Sequence, residues 1–352
     1  MRFKVLVCGT TFGQSYMRAI SENENLELVG IYANGSKRSI DCSKKYNVPL
    51  FKNVTSLPFD IDMAFVIVKS SVLGGEGTKI AKQLLNRGIH VMQEHPINYN
   101  EISECCRIAV KNKVCYKVGD LYPFLESIKK FCDTSLFLNT NDRFKYASII
   151  SSSQGLYSLS AILANSLSNY RNFTIDDRET KINYPFTKLK LTNGEEDIFL
   201  QIHNEVSEND GNNHMHLLHR MIFFYDSGRL ELNDTFGGLC WRSRMNISES
   251  DVYQKKTKHD YDFRPMSINL IKEEENSYDE LLRTIFPNAI EKQIEEFIKE
   301  IRKGTMDIAV LQKEILISEK WSVLSSIIGF PKLVNFSANY IDYTPMLKRG
   351  EE

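Results

Sequence analysis

The chain has 352 residues, a formal net charge of −1 and 25% charged residues, so it is longer than one hydrophobic core usually sustains and two domains are expected. A pI near 6.7 gives no electrostatic case for nucleic acid or an anionic membrane as partner, and no apolar run approaches the ~20 residues that span a bilayer. The N-terminus runs straight into a strand pattern without a signal peptide, and the seven cysteines have no metal-site spacing, so a cytoplasmic protein with reduced thiols and no bound metal is expected.

Lys4 to Cys8 is a short β-rich run, Gly9-Thr10-Thr11-Phe12-Gly13 is a tight turn, and Gln14 to Ile20 takes helical spacing. Strand, glycine turn and helix start make a phosphate site, because the free amides of a helix N-terminus point at the anion. The turn departs from G-x-G-x-x-G, since Cys8 and Thr10 hold the first two glycine positions, Gly13 fits and Gly9 lies one place off. On the turn alone, an ordinary strand-turn-helix is the alternative. The next apolar run, Leu26 to Tyr32, ends in Ala33-Asn34-Gly35-Ser36-Lys37-Arg38-Ser39. An NAD site places an acid there for the ribose 2′-hydroxyl, whereas a 2′-phosphate needs cations and hydroxyls. Gly35, Ser36, Lys37 and Arg38 therefore point to NADPH, the alternative being a solvated basic loop.

Asp62 to Val68 reads as a buried strand, and the loop after it places Ser70 and Gly74 against the cofactor. A helix is predicted over Thr78 to Arg87, with Gly88 as its cap, then a strand over 89–93, a helix over 99–112 and a strand over Val114 to Val118. These alternating elements make a doubly wound parallel sheet, with cofactor and substrate meeting outside the carboxyl ends of its strands, where Ser70, Glu94, His95 and Tyr122 fall. Residues 1–123 form this Rossmann unit.

Beyond Pro123 the pattern changes. Phe124 to Cys132 looks like a linking helix. Tyr146–Ser151, Phe186–Leu191, Asp197–Val206, Met221–Tyr225 and Arg229–Asn233 look like strands, with Asp226-Ser227-Gly228 as a hairpin turn. Helical patterns return over 276–328. The fold class is therefore α/β: a Rossmann sheet followed, over 124–352, by an α+β substrate-binding domain with a mostly antiparallel open sheet. The open face is expected to cover the active site, and its exposure favours a homodimer.

Gln93-Glu94-His95-Pro96 closes the run Gly88-Ile89-His90-Val91-Met92. At this point the glucose-fructose oxidoreductase and inositol dehydrogenase family, which the opening resembles, carries Glu-Lys-Pro. Here the Lys is a His, whose ordinary pKa near 6.5 suits protonation of a nitrogen at neutral pH. Val5 to Gln14, Gly74 to Thr78, Leu85 to Pro96 and Leu217-Leu218-His219-Arg220 together resemble the thiazolinyl imine reductases of siderophore biosynthesis. The resemblance is densest in the first 125 residues; the second domain, rich in Asn, Lys and Ile, departs most. It implies NADPH-dependent reduction of a thiazoline C=N to a thiazolidine on an intermediate tethered to a nonribosomal peptide synthetase carrier domain. A Cys-Gly-Thr turn is what that family uses.

Hydride delivery to an imine carbon calls for a proton at the nitrogen. His95, at the strand end, is the first candidate acid, and Tyr122, from the next strand end, is the second on the resemblance. Each also has a purely structural alternative, a backbone bond or packing. Gly9, Thr10, Thr11, Phe12, Gly13 and Glu94 are placed at the cofactor. His219 and Trp241 are candidate substrate contacts, the latter by stacking on a flat ring or else as core packing. His214, His216 and His219 share no face of a regular element, which argues against a metal. Another oxidoreductase on this fold, acting on a sugar or a biliverdin-type substrate, and a non-catalytic NADP(H) sensor are the other readings.

Overall fold

The computed structural model describes residues 2–68, 75–180, 184–211, 215–245, 265–273, 276–304, 306–335 and 341–342. Ser70, Gly74 and His214, named above, lie outside them. In chain order the first unit comprises β1 (Phe3–Cys8), α1 (Gly13–Glu22), β2 (Leu26–Tyr32), α2 (Lys37–Tyr46), β3 (Leu50–Phe51), β4 (Met63–Val66), α3 (Glu76–Asn86), β5 (His90–Glu94), α4 (Tyr99–Asn112) and β6 (Tyr116–Gly119). Its six strands lie in the order β3-β2-β1-β4-β5-β6, and every pair is parallel. Helices cover both faces, which is why β4 is buried at every position and reads as an unbroken apolar run. The order reverses between β1 and β4, and the crevice there is where a doubly wound sheet takes its ligand.

The second unit continues with α5 (Glu126–Asn141), β7 (Phe144–Ser152), α6 (Leu156–Ser166), β8 (Thr174–Thr180), β9 (Phe186–Thr192), β10 (Asp197–His203), β11 (Glu205–Ser207), β12 (His219–Tyr225), β13 (Gly228–Leu232), β14 (Leu239–Ser243), β15 (Ser267–Ile271), α7 (Phe286–Lys303), α8 (Ile308–Ile328) and β16 (Lys332–Val334). Eight strands form one sheet in the order β15-β14-β13-β12-β7-β10-β9-β8. Its pairs are antiparallel except β7 with β10. The predicted strand 197–206 is two: Asn204 breaks it, and β11 turns away to pair with β16.

Alternation along the strands gives this sheet an apolar inner face, where Ile149, Met221, Phe223 and Leu230 are buried under α5 and α6. Tyr146 and Phe199 point the other way and stay exposed. That open face was expected to cover the active site. Instead the site meets α6 and the inner face, because the helices that bury the sheet's apolar side also join it to the first unit. α7 and α8 then pack back on the first unit, against α1 and α4. Buried Gln293 of α7 donates to the Tyr16 hydroxyl at 2.8 Å and accepts from the Asp120 amide at 2.7 Å.

Candidate active site

The phosphate turn is built from backbone. Gly9 takes φ +100, and a Cβ there would lie 2.3 Å from the Ile67 carbonyl oxygen, so only glycine permits this approach. Gly13 opens α1 against Val7, and Phe12 gives the first amides of the helix no side-chain bond. These uncapped amides, with no acid in the first turn, fit an anionic ligand. Thr10 is buried, while Thr11 is exposed and accepts from the Arg38 guanidinium at 2.7 Å.

The segment 36–39 is the start of a helix rather than a loop. Gly35, at φ +83, turns the chain, Ser36 accepts from the Ser39 amide as N-cap, and Lys37 and Arg38 stand exposed in the first turn of α2. Two cations at a helix N-terminus repel the positive end of its dipole unless an anion sits between them. Arg38 also bridges to Thr11, so the α1 and α2 starts face one groove that fits a phosphate-bearing cofactor.

At the carboxyl edge of the sheet, β5 and β6 deliver Glu94, His95 and Asp120 side by side. The Nε2 of His95 lies 3.8 Å from Glu94 and 3.7 Å from Asp120, and all three side chains are largely buried. The peptide between His95 and Pro96 is cis. The ring is stacked on Tyr157 of α6 and meets Tyr122 edge-on, with centroids 6.1 Å apart. Its Nδ1 and one oxygen of Asp120, Oδ2, are buried without a hydrogen-bond partner, an arrangement that buried polar groups rarely keep without a ligand to satisfy them. Glu94 accepts from the Tyr16 hydroxyl, and Gly119 has no side chain because one would press on Glu94 and Tyr16.

Burial sets the protonation states. It pushes Glu94 up to about 8, against the pull of Tyr16, and raises Asp120, against the attraction of His95. The same burial holds His95 below its ordinary value, with Asp120 opposing, and lifts the Tyr122 hydroxyl well above the usual phenol range. Burial therefore favours the neutral form of all three groups, most clearly at Glu94.

The other named residues lie further out. His219 is fully buried: Nδ1 meets Thr235 Oγ1 at 3.1 Å and Nε2 meets the Gly155 carbonyl at 2.9 Å, while its ring braces Tyr122 edge-on. Burial lowers it to about 4. With both nitrogens held, it offers a substrate no free polar atom. Trp241 packs on Tyr225, at the opposite end of β12 from His219, about 20 Å along the strand. The structure thus brings together Glu94, His95 and Tyr122, and leaves Trp241 as packing on the inner face of the sheet. Asp120, Tyr157, Tyr16 and Gln293 join the site although the sequence assigned them no role. Only Asp120, beside Tyr122 in sequence, sat within a motif. Among the described residues no group of three or more His, Cys, Asp or Glu could hold a metal, and no helix is long and apolar enough to cross a membrane.

Residues 3–120 match the model of an oxidoreductase family with an NAD-binding Rossmann fold, and residues 142–242 match the C-terminal domain of thiazolinyl imine reductase, Irp3-like. Fold, groove and the first match define an NAD(P)-dependent oxidoreductase. More particularly, its second unit is similar to that of the Irp3-like reductases. No curated protein matches the chain. Among solved structures, a dehydrogenase (MviM) from Clostridium difficile superposes with a TM-score of 0.61 at 14% identity, over 92% of this chain and 99% of the other. KijD10, a 3-ketoreductase from Actinomadura kijaniata in complex with TDP-benzene and NADP, reaches 0.66 at 10% identity, over 96% and 100%. At these identities the likeness is one of fold.

Proposed function

We propose that this protein reduces a thiazoline C=N to a thiazolidine with NADPH, on a siderophore-type intermediate tethered to a nonribosomal peptide synthetase carrier domain. The observation that carries the reading is the histidine that ends β5 beside two buried carboxyls, in a chain whose residues 142–242 match the imine reductase C-terminal model. The turn 9–13 and the α1 amides would hold the diphosphate, and Ser36, Lys37 and Arg38 the 2′-phosphate. Bound there, the nicotinamide supplies a hydride to the imine carbon.

The residues of the chain manage the proton. His95 passes one to the imine nitrogen, with Asp120 and Glu94 as its neighbouring proton stores. Tyr122, whose hydroxyl burial keeps protonated, donates a hydrogen bond to the substrate. Tyr157 and Tyr122 fix the imidazole plane and exclude water. The exposed Tyr146 and Phe199 of the open sheet face support self-association into a homodimer.

The test is NADPH oxidation with a thiazoline presented on a carrier domain and as the free acid. Carrier and arm contacts add binding energy, so the tethered form should have the larger kcat/KM by at least tenfold. Equal efficiencies would remove the carrier from the proposal, and oxidation with neither substrate would remove imine reduction.

A further inference from the structure

Behind the candidate site, on the far side of β6, a cleft of about 630 Å³ runs between α5, α6, α7 and α8. Its inner wall includes Val118, Asp120, Tyr157 and Glu314, and its outer wall carries Lys292 and Lys299 of α7. Asp120 and Tyr157 are therefore shared: each touches His95 on one side and the cleft on the other.

Glu314 is a buried carboxyl whose structural bonding accounts for only one of its oxygens. It is 9% exposed on α8, one oxygen accepts from the Val118 amide at 3.3 Å, and the other, Oε2, is buried without a hydrogen-bond partner. Lys117, the cation whose charge acts on it, is committed to Glu300 at 2.5 Å. Isolated buried carboxyls are costly, so one that persists at the wall of a cleft invites a functional account. Asp120 follows Val118 by two residues, just past the end of β6 and about 7 Å along the strand direction, a gap that a short water chain spans at ~2.8 Å per hydrogen bond.

We propose that this cleft is the proton inlet of the active site, with Glu314 relaying protons from solvent through water in the cleft to Asp120, which recharges His95. The need is one of balance. Each hydride added to a C=N or C=O carbon is matched by one proton on the nitrogen or oxygen. That proton leaves the imidazole, is replaced from the Asp120 carboxyl, and is finally drawn from bulk water. A groove filled by cofactor and substrate closes the direct route, whereas the cleft reaches Asp120 from behind.

Burial favours the protonated form of both carboxyls. Burial pushes Glu314 up to about 8, with Lys117 opposing and Glu300 adding to it. The groups facing it are Lys117 and Tyr116 of β6, Glu300 of α7, Cys106 of α4 and Tyr157 of α6. Those facing Asp120 are His95, Glu94, Tyr122, Tyr16 and Tyr157. The proposal rests on the reading above only in that His95 gives up a proton, and it holds for a carbonyl substrate as well.

The experiment measures exchange of the His95 ring N–H with water by nitrogen-15 NMR, in the full chain saturated with NADP⁺ and without substrate. Glu314→Gln should slow that exchange at least tenfold with NADP⁺ affinity unchanged, and Glu314→Asp should restore it to within a few-fold. Val310→Trp, which narrows the cleft from α8 without replacing a carboxyl, should also slow it and serves if Glu314→Gln does not fold. In turnover, Glu314→Gln should lose kcat more than KM and recover it when a small weak acid is added. Parental exchange in Glu314→Gln or in Val310→Trp, with the fold intact, overturns the inlet. Slowed exchange in a protein that does not reduce thiazolines leaves the inlet standing and removes the proposed substrate.

Discussion

The imidazole of His95 lies flat on the ring of Tyr157, with centroids 4.9 Å apart and planes inclined by 16°. Tyr122 meets the imidazole edge-on, and His219 in turn braces Tyr122. The candidate acid is thus clamped between a helix of the second unit and the last strand end of the first, a rigid mounting of the kind that positioned acids need.

Loss of a positioned general acid typically costs about 10² to 10⁴ in rate. His95→Ala should lower kcat by that factor and leave NADPH affinity within a few-fold, since the phosphate contacts lie at the starts of α1 and α2. Tyr122→Phe should cost less, because burial raises its hydroxyl far above the pH at which it would release a proton. Stopped-flow turnover of both variants decides the assignment: near-parental kcat in His95→Ala beside a dead Tyr122→Phe would exchange the roles.

Cofactor choice rests on the first turn of α2. Lys37 and Arg38 are exposed there with no acid in the turn, so NADPH should bind at least tenfold more tightly than NADH, about 1.4 kcal/mol. Replacing both by Ala should close most of the gap, as read by titration of nicotinamide fluorescence. Equal affinities in the parent protein would contradict the assignment.

Gln293 ties α7 to the carboxyl edge of the sheet through Tyr16 and the Asp120 amide. Gln293→Leu leaves the Asp120 amide without its acceptor, at about 1–3 kcal/mol, while the Tyr16 hydroxyl keeps its bond to Glu94. Its thermal midpoint should fall by several degrees in calorimetry. An unchanged midpoint would mean that water replaces the amide and that the link carries no stability.

The sequence made the first sheet legible because parallel strands buried on both faces leave long apolar runs, and β2, β4 and β5 begin or end within a few residues of expectation. It hid α2, because Ser36 to Ser39 reads as a polar loop until the cap between Ser36 and the Ser39 amide is seen. The linking helix runs on to Asn141, past the weakly patterned Asp133-Thr134-Ser135. His95 and Tyr122 were visible as strand-end residues. Tyr157, Gln293 and Glu314 were not, since each reaches the site by packing of a distant helix, which no local pattern encodes. The first sheet ends with β6 and the second begins with β7, while α7 and α8 pack back on the first unit.

Stability should carry the signature of the buried carboxyls. The folded chain holds the Glu314 proton up to about pH 8, whereas an unfolded chain releases it near ~4.3. Between those values the folded state binds more protons, so the contribution of this group to stability is full at low pH and drains away as pH rises through about 8. Glu94, also raised to about 8, acts in the same direction. His219, lowered to about 4, acts in the opposite one and favours folding as pH rises from there to its ordinary value near ~6.5. Glu314→Gln removes one titration and keeps the acceptor for the Val118 amide. Near pH ~3, where the carboxyl is neutral in both the folded and the unfolded chain, parent and variant should melt together. Near pH ~9 the variant should melt higher, because it no longer holds a buried anion. Melting curves at the two pH values supply the check, and a difference that fails to widen toward alkaline pH would mean that Glu314 is ionised in the folded protein throughout.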